Sequence, residues 1–255
     1  KEMRVLNFKA QKNVLIAGHR GYPAKLTENT LASFQAATDS GVDMIETDIR
    51  ITKDKHLVLM HDSSAERVGG NSRLIRDMTL EEVMALRIGK EKASIPTLDD
   101  LFDLFSDNKA LLYNLEIKVY SHEEGIEAVH DTVVQAVALC QKFDVCDRVI
   151  FNSFDAYVLE YIYKNYGNRF KLHGYYPYSI MENITNNPNN YLDYACFWAH
   201  GEEAKAFCDY LKQHGIEPCT GSDTTETQFY EAAKYGCSMF TLDDPAKAIE
   251  WRKKL

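Results

Sequence analysis

This chain has little with which to staple itself covalently and little with which to attract a polyanion. Its six cysteines (Cys140, Cys146, Cys196, Cys208, Cys219 and Cys237) are scattered, and none forms a CxxC pair. That excludes knuckle-type metal sites and dithiol redox motifs, and it suits core-filling thiols in a reducing compartment. Positive charge is in deficit, with 29 Lys+Arg against 38 Asp+Glu and a formal net charge of −9. Nucleic-acid binders concentrate basic charge, so no nucleic-acid partner is expected. No stretch approaches the roughly 18 continuous apolar residues of a membrane span, so no integral membrane segment is expected either. The first residues also lack the apolar run of a signal peptide, which favours a cytoplasmic location. Lys1 is not an initiator methionine, however, so a trimmed, secreted mature form stays open. Internal repeats, low-complexity tracts, interdomain linkers and any signature of oligomeric state are missing as well.

What is present is an ordinary globular balance, 45% hydrophobic and 26% charged over 255 residues. That length buries a substantial core without disulfide or metal. Short apolar runs alternate with helical stretches. Strands are expected at 14–18, 42–51, 57–60, 111–117, 148–153, 170–174, 194–198, 216–220 and 239–242. Helices fit at 29–40, 123–143, 156–166, 202–214, 226–235 and from 245 onward. Such alternation indicates βα units and a parallel sheet, and the length suits a (β/α)8 TIM barrel as one domain over 1–255. A doubly wound open sheet is the alternative, but no GxGxxG follows the first strand. Nine strands are one too many for the barrel. The doubtful join lies between Asp48 and Leu57, where there is no room for a crossover helix. That join is either a hairpin or an extended return, or else one weak later strand lies outside the barrel. Residues 63–95 are polar and break the rhythm, which marks a small insertion on the rim after the third strand. Thr97 is placed to cap the helix that follows it.

Barrel active sites lie at the C-terminal ends of the strands, so polar residues there deserve scrutiny. The first strand ends in His19-Arg20-Gly21. The second carries Glu46 and Asp48, whose i, i+2 spacing puts both carboxylates on one face. The third runs into His61, and the fourth repeats the spacing with Glu116 and Lys118. Taken singly, such residues are more often a surface ion pair or a hydrogen-bonded structural histidine. Here the run around Glu46 and Asp48 otherwise reads as buried, and burying like charges together is expensive without a cation. Glu46, Asp48 and Glu116 offer the oxygen-rich cage that Ca²⁺ or Mg²⁺ takes.

The ordered set His19-Arg20-Gly21, Glu28-Asn29-Thr30, Glu46-Thr47-Asp48, His61-Asp62 and Glu116-Ile117-Lys118 resembles the glycerophosphodiester phosphodiesterase family. The likeness continues through Ile95-Pro96-Thr97-Leu98, Asn152-Ser153-Phe154-Asp155 and Leu242-Asp243-Asp244-Pro245, so it spans nearly the whole chain. The resemblance implies a TIM barrel with an insertion after the His-Asp strand. It also implies a metal-dependent hydrolase that cleaves a small-molecule glycerophosphodiester to an alcohol and glycerol 3-phosphate. By the same resemblance, one divalent cation, Ca²⁺ or Mg²⁺, would sit on Glu46, Asp48 and Glu116. His19 and His61 would be the general acid and base in an order left open, and Arg20 and Lys118 would bind the phosphate. Three carboxylates and one divalent ion leave the site at −1, so those two cations are needed to admit an anion. Asn29 or Thr27 is expected to cap the next helix, with Glu28 as an outer group near Arg20 or the metal ligands.

The resemblance is weakest along the last strands. Where many members carry W-T-V-N, this chain has Pro218-Cys219-Thr220-Gly221-Ser222-Asp223, so the wall beside the glycerol has changed. Tyr175-Tyr176-Pro177-Tyr178 and Phe197-Trp198-Ala199-His200 either pack in the core or rim, or rebuild that wall. His200 is a possible substrate contact, whereas His173 reads as structural. Two other functions stay open: a phospholipase-D-like or sphingomyelinase-D-like lyase acting on lipids, and a non-enzymatic phosphate-binding scaffold. The two histidines and three carboxylates count against the scaffold.

Overall fold

In the computed structural model, which describes residues 14–255, a ring of parallel strands closes on itself. Residues 1–13, which hold the start of the expected domain and the segment inspected for a signal peptide, lie outside the described residues. The strands are β1 (Leu15–Gly18), β2 (Met44–Ile51), β3 (Leu57–Leu59), β4 (Ser64–Ala65), β5 (Asn71–Leu74), β6 (Leu112–Ile117), β7 (Val149–Asn152), β8 (Lys171–Tyr175), β9 (Tyr194–Cys196), β10 (Glu217–Ser222) and β11 (Met239–Leu242). Among them β1, β2 and β6 to β11 pair in parallel in that order, and β11 returns to β1 through Leu15↔Met239 and Gly18↔Leu242. The fold is therefore the closed eight-stranded α/β barrel that the alternation predicts.

The surplus ninth strand is β3. It pairs antiparallel to the far end of β2, with Ile49↔Leu59 and Ile51↔Leu57 in register. The short join was thus a hairpin: Thr52 to Lys55 is too brief for a crossover, and Lys55 takes a φ of +68° to close the turn. Observed element ends lie within a few residues of those expected, as fraying ends usually do. Helix Leu31–Asp39, for example, starts two residues after the expected 29.

Side-chain alternation sorts each strand into an outer and an inner face. Outer residues such as Ile16, Ile45, Leu115, Phe151 and Leu172 meet the surrounding helices in one large apolar cluster. Inner residues Leu15, Met44, Leu112, Ile150, Tyr194, Cys219 and Met239 come from seven of the barrel strands and fill the lower lumen. Two residues further along the same inner faces the chemistry changes to Glu46, Asn114, Asn152 and Thr241. A plug of apolar side chains below and polar ones above is what makes a mouth rather than a pore. Residues 63–95 hold the two-stranded β4–β5 pair and helix Leu80–Ala85, with a separate apolar cluster of Met60, Ala65, Ile75, Met78, Val83, Ile88 and Ile95.

Thr97 caps helix Leu98–Leu104 through a reciprocal box. Its hydroxyl accepts from Asp100 N at 3.1 Å, and the Asp100 carboxylate accepts from Thr97 N at 2.8 Å. Thr97→Ala is expected to cost about 1 kcal/mol, lowering Tm by roughly 2–4 °C for a chain of this size in differential scanning calorimetry.

Candidate active site

The three carboxylates meet where β2 and β6 run side by side. Asp48 and Glu116 are register partners, and Glu46 lies one inward step below Asp48. Glu46, Asp48 and Glu116 are each no more than 4% exposed, and one oxygen of each lies within 4.8 Å of the others. Glu46 Oε1 has no hydrogen-bond partner. The Lys118 ammonium sits 2.5 Å from Glu116 Oε1 and 3.6 Å from Asp48 Oδ1. Burial and then the neighbouring Asp48 push the Glu46 carboxyl above its ordinary range. Burial alone would raise Asp48 too, but Lys118 and Arg20 outweigh it and hold Asp48 low. A buried carboxylate trio with an unpartnered oxygen is under-neutralised, and the donor set is the hard-oxygen kind that suits a divalent cation.

Arg20 is bound into this group twice. Its N–H donates to Glu46 Oε2 at 2.8 Å, and its Nε lies 3.4 Å from Asp48 Oδ2. Asn29 corrects the capping expectation. The N-cap is Thr30, whose hydroxyl accepts from Ser33 N, while Asn29 is 1% exposed and donates to Asp48 Oδ2 at 2.8 Å. Thr47 in turn donates to Asn29 Oδ1 at 2.7 Å, so a polar strand residue orients the amide that orients the carboxylate. Asn29 can reach inward because its left-handed φ of +53° turns the chain before the helix begins.

Both histidines are held by carboxylates. His19 Nδ1–H donates to Asp243 Oδ1 at 2.5 Å, and its Nε2 lies 4.0 Å from Glu46 Oε2. His61 Nδ1–H donates to Asp62 Oδ1 at 2.6 Å. His61 does not stand at the end of a barrel strand. The β2–β3 hairpin carries the chain out past the mouth and back, Met60 N bonds to Asp48 O at 3.0 Å, and His61 follows. Arg50, on the outbound limb, donates to His61 O at 2.8 and 3.0 Å and to Lys118 O at 3.0 Å. Their surroundings differ. Burial lowers the His61 pKa, helped by Lys118 and Arg20 and only partly offset by Asp48 and Asp62. Burial would lower His19 as well, but the bond to Asp243 and the charge of Glu46 prevail and raise it.

Several residues outside the expected set tie the site together. Arg67, from helix Glu66–Gly69, donates to Asp62 Oδ2 at 2.7 Å and to both oxygens of Glu28 at 2.7 and 2.9 Å. Glu28 also accepts from Arg20 at 3.0 Å, which is the outer place expected for it. Tyr175 donates to Glu116 Oε2 at 2.9 Å and lies parallel to both Phe154 and Trp198, with ring centroids 3.7 and 5.3 Å away. Trp198 is 55% exposed and shares a cavity wall with His19, Glu46, Gly221 and Ser222. His200 lies 3.2 Å from the Gln228 amide and is not among the residues that line that cavity. Asp243 carried a signal in the sequence, through the aspartate and proline kept near the C-terminus, and Tyr175 and Trp198 stood out as aromatic groups at strand ends that could rebuild the wall. Arg67 carried none, because nothing local says which rim side chain folds back over the mouth.

A sequence profile described as the glycerophosphoryl diester phosphodiesterase family matches residues 19–247. Over 156 residues the chain is 35% identical to a glycerophosphodiester phosphodiesterase of Caldanaerobacter subterraneus subsp. tengcongensis, which is 59% of this chain. The match spans 62% of that relative's length. Among solved structures, a phosphodiesterase of this type from Silicibacter pomeroyi superposes with a TM-score of 0.81 at 18% identity, covering 96% of this chain and 94% of the other. A phosphodiesterase from Oleispira antarctica, in complex with the product sn-glycerol-3-phosphate, superposes with a TM-score of 0.78 at 20% identity, covering 94% and 96%. At these identities the two structures speak for the fold.

Gly21 lets Arg20 reach the carboxylates. At its φ of +92°, an added Cβ would meet Ser33 Oγ at 2.5 Å and Ser33 C at 2.7 Å, in the turn where Ser33 Oγ accepts from Tyr22 N. Gly21→Ala is expected to cost about 2 kcal/mol through strain and this clash, a Tm loss of roughly 4–8 °C by calorimetry.

Proposed function

The chain belongs to the glycerophosphoryl diester phosphodiesterase family, and from that membership and the geometry of its mouth we propose that it is an enzyme, a divalent-metal-dependent phosphodiesterase that cleaves glycerophosphodiesters to an alcohol and glycerol 3-phosphate. The observation that carries this reading is the buried trio Glu46, Asp48 and Glu116, flanked by two carboxylate-held histidines and two cations. The glycerol 3-phosphate bound to the Oleispira phosphodiesterase supports the product class. The described residues contain no helix long and apolar enough to cross a membrane.

Glu46, Asp48 and Glu116 would hold one Ca²⁺ or Mg²⁺, with Asn29 and Tyr175 fixing the orientation of Asp48 and Glu116. Bound there, the ion supplies positive charge against the negative charge that develops on the phosphoryl oxygens. Arg20 and Lys118 present further positive charge from either side of Asp48, Arg20 through a planar fork and Lys118 as a point charge. They turn the centre of an acidic protein toward an anion. His61, lowered by its surroundings, is suited to take the proton of the attacking oxygen. His19, raised by Asp243 and Glu46, is suited to give one to the departing alkoxide. In each case the carboxylate on Nδ1 fixes the tautomer and leaves Nε2 to exchange the proton. Trp198 is read as rebuilding the wall that the family's late-strand tryptophan would otherwise supply.

Two measurements test this. His19→Ala and His61→Ala are each expected to lower kcat on glycerophosphocholine by about 10²–10⁴-fold. A p-nitrophenyl phosphodiester, whose leaving group needs no proton, should restore His19→Ala and not His61→Ala. Equal behaviour of the two variants would undo the assignment, and a persistent cyclic phosphate in phosphorus NMR of the products would favour the lyase. The second test follows from Glu46. A carboxyl whose folded pKa is raised weakens the metal-free fold as pH climbs from its ordinary value of about 4.3. A cation must displace that proton. Titrating Mg²⁺ or Ca²⁺ calorimetrically at neutral pH, in buffers of different ionisation heat, should show up to about one proton released per ion. Heats that do not depend on the buffer would move the ion elsewhere.

A further inference from the structure

Just inside the carboxylates, the barrel floor holds polar groups that the proposed chemistry leaves unused. Asp48, Glu116, Asn152 and His173 are consecutive register partners across β2, β6, β7 and β8. Asn152 and His173 therefore lie in the same inward-facing row as two of the metal-cage carboxylates, and they are 1% and 2% exposed. Asn152 Nδ2 donates to Asn114 Oδ1 at 3.1 Å, which leaves the Asn114 amide to donate to His173 Nδ1 at 3.4 Å. That order fixes what remains. His173 Nδ1 accepts, so its proton is on Nε2, a donor without a partner; Asn152 Oδ1 is an acceptor without a partner. Burial pushes the His173 pKa down to about 3, so the ring is neutral throughout the working range.

Both residues line the cavity they share with His19, Glu46, Tyr175 and Trp198. That cavity leaves about 30 Å³ for groups the size of water. A single such group needs roughly 10–15 Å³, so two or three oxygens fit and a bulky head group does not. A hydroxyl gives one proton and accepts one, which matches one orphaned acceptor on β7 and one orphaned donor on its register partner in β8. Leaving such a buried pair unmatched is costly.

We infer that Asn152 and His173 form a hydroxyl-reading floor, which binds a free hydroxyl of the glycerol moiety and selects a polyol phosphodiester over its deoxy counterpart. This rests on the substrate reading above and adds to it which end of the diester enters the barrel. The glycerol goes inward past Glu46, and the released alcohol stays at the open rim.

The test compares kcat/KM of the metal-loaded protein for glycerophosphocholine and for its 1-deoxy and 2-deoxy glycerol analogues. One analogue is expected to be poorer by about 100-fold or more, since sites built around a substrate hydroxyl reject analogues lacking it. His173→Phe and Asn152→Leu, which keep volume but remove the donor or the acceptor, should each shrink that ratio by about tenfold, as one lost hydrogen bond to a buried partner does. The loss should come mainly from the hydroxylated substrate. His173→Gln, which keeps a donor, should recover part of the ratio, and it serves if the bulkier replacement does not fold. The Kd of glycerol 3-phosphate against its deoxy analogues should follow the same pattern. Full discrimination in well-folded variants, or none in the wild type, would overturn the floor and leave the cavity to a structural water. Failure of the wild type to cleave any glycerophosphodiester would instead bring down the substrate reading, and the floor with it.

Discussion

Three carboxylates buried within one ion's reach are the constraint around which this barrel is organised. Like charges at that spacing in a poorly solvated lumen repel strongly and cannot all stay ionised unaided. The consequences are visible nearby: Glu46 is driven toward protonation, Asp48 is kept ionised by Lys118 and Arg20, and Glu116 is met by both Lys118 and the Tyr175 hydroxyl. Such a group would be a liability in a protein selected for stability alone. It persists here inside an otherwise well-packed apolar ring of Leu15, Met44, Leu112, Ile150 and Met239, whose rigidity keeps the carboxylates from spreading apart.

The outer shell answers the same constraint by tying the charged groups into one continuous set. From His61 the chain of contacts runs through Asp62, Arg67, Glu28 and Arg20 to Asp48. Arg67 is nearly half exposed, and a lone ion pair at such a site contributes little. Its value is geometric, since a planar fork that holds Asp62 and Glu28 together fixes the distance between the proton-transfer side of the mouth and the phosphate side. Arg50 does similar work from beneath by gripping the backbone carbonyls of His61 and Lys118. The small substructure after β3 is thus more than decoration, because it delivers Arg67 to a mouth built from distant strands.

How much of this was legible beforehand depended on whether the signal was local. Spacing i, i+2 in an apolar run announced Glu46 with Asp48, and Glu116 with Lys118, because strand periodicity alone decides which side chains share a face. The eight-stranded barrel followed from alternation. The surplus strand could not be settled, since a hairpin and a truncated crossover look alike until pairing is seen. Asn29 was misplaced as a helix cap because Asn and Thr compete for that role in any E-N-T run. The left-handed turn at Asn29, which sends its amide to Asp48 and leaves Thr30 as the cap, has no signature in the residue types. Asn114, Asn152 and His173 sat in strands that read as buried, but their mutual bonds depend on which strands become neighbours.

The late strands show why a motif's loss need not mean a function's loss. A wall beside a polyol needs a flat apolar face at the right height, and any strand end around the ring can supply it. Here β10 ends in Gly221-Ser222 with almost no side chain to offer, and an added Cβ at Gly221 would run into the Thr241 carbonyl 2.2 Å away. The neighbouring strand β9 leads instead into Trp198, held flat by Tyr175 and Phe154 beneath it. The same Tyr175 that stacks under the tryptophan donates to Glu116. Displacing the indole would therefore disturb the orientation of a carboxylate in the cage, so the rebuilt wall and the charged centre are mechanically one unit. On a closed barrel this is the general case: strand ends are interchangeable as suppliers of shape, whereas the carboxylate trio is not, because only adjacent strands in register can bring three charges within reach of a single ion.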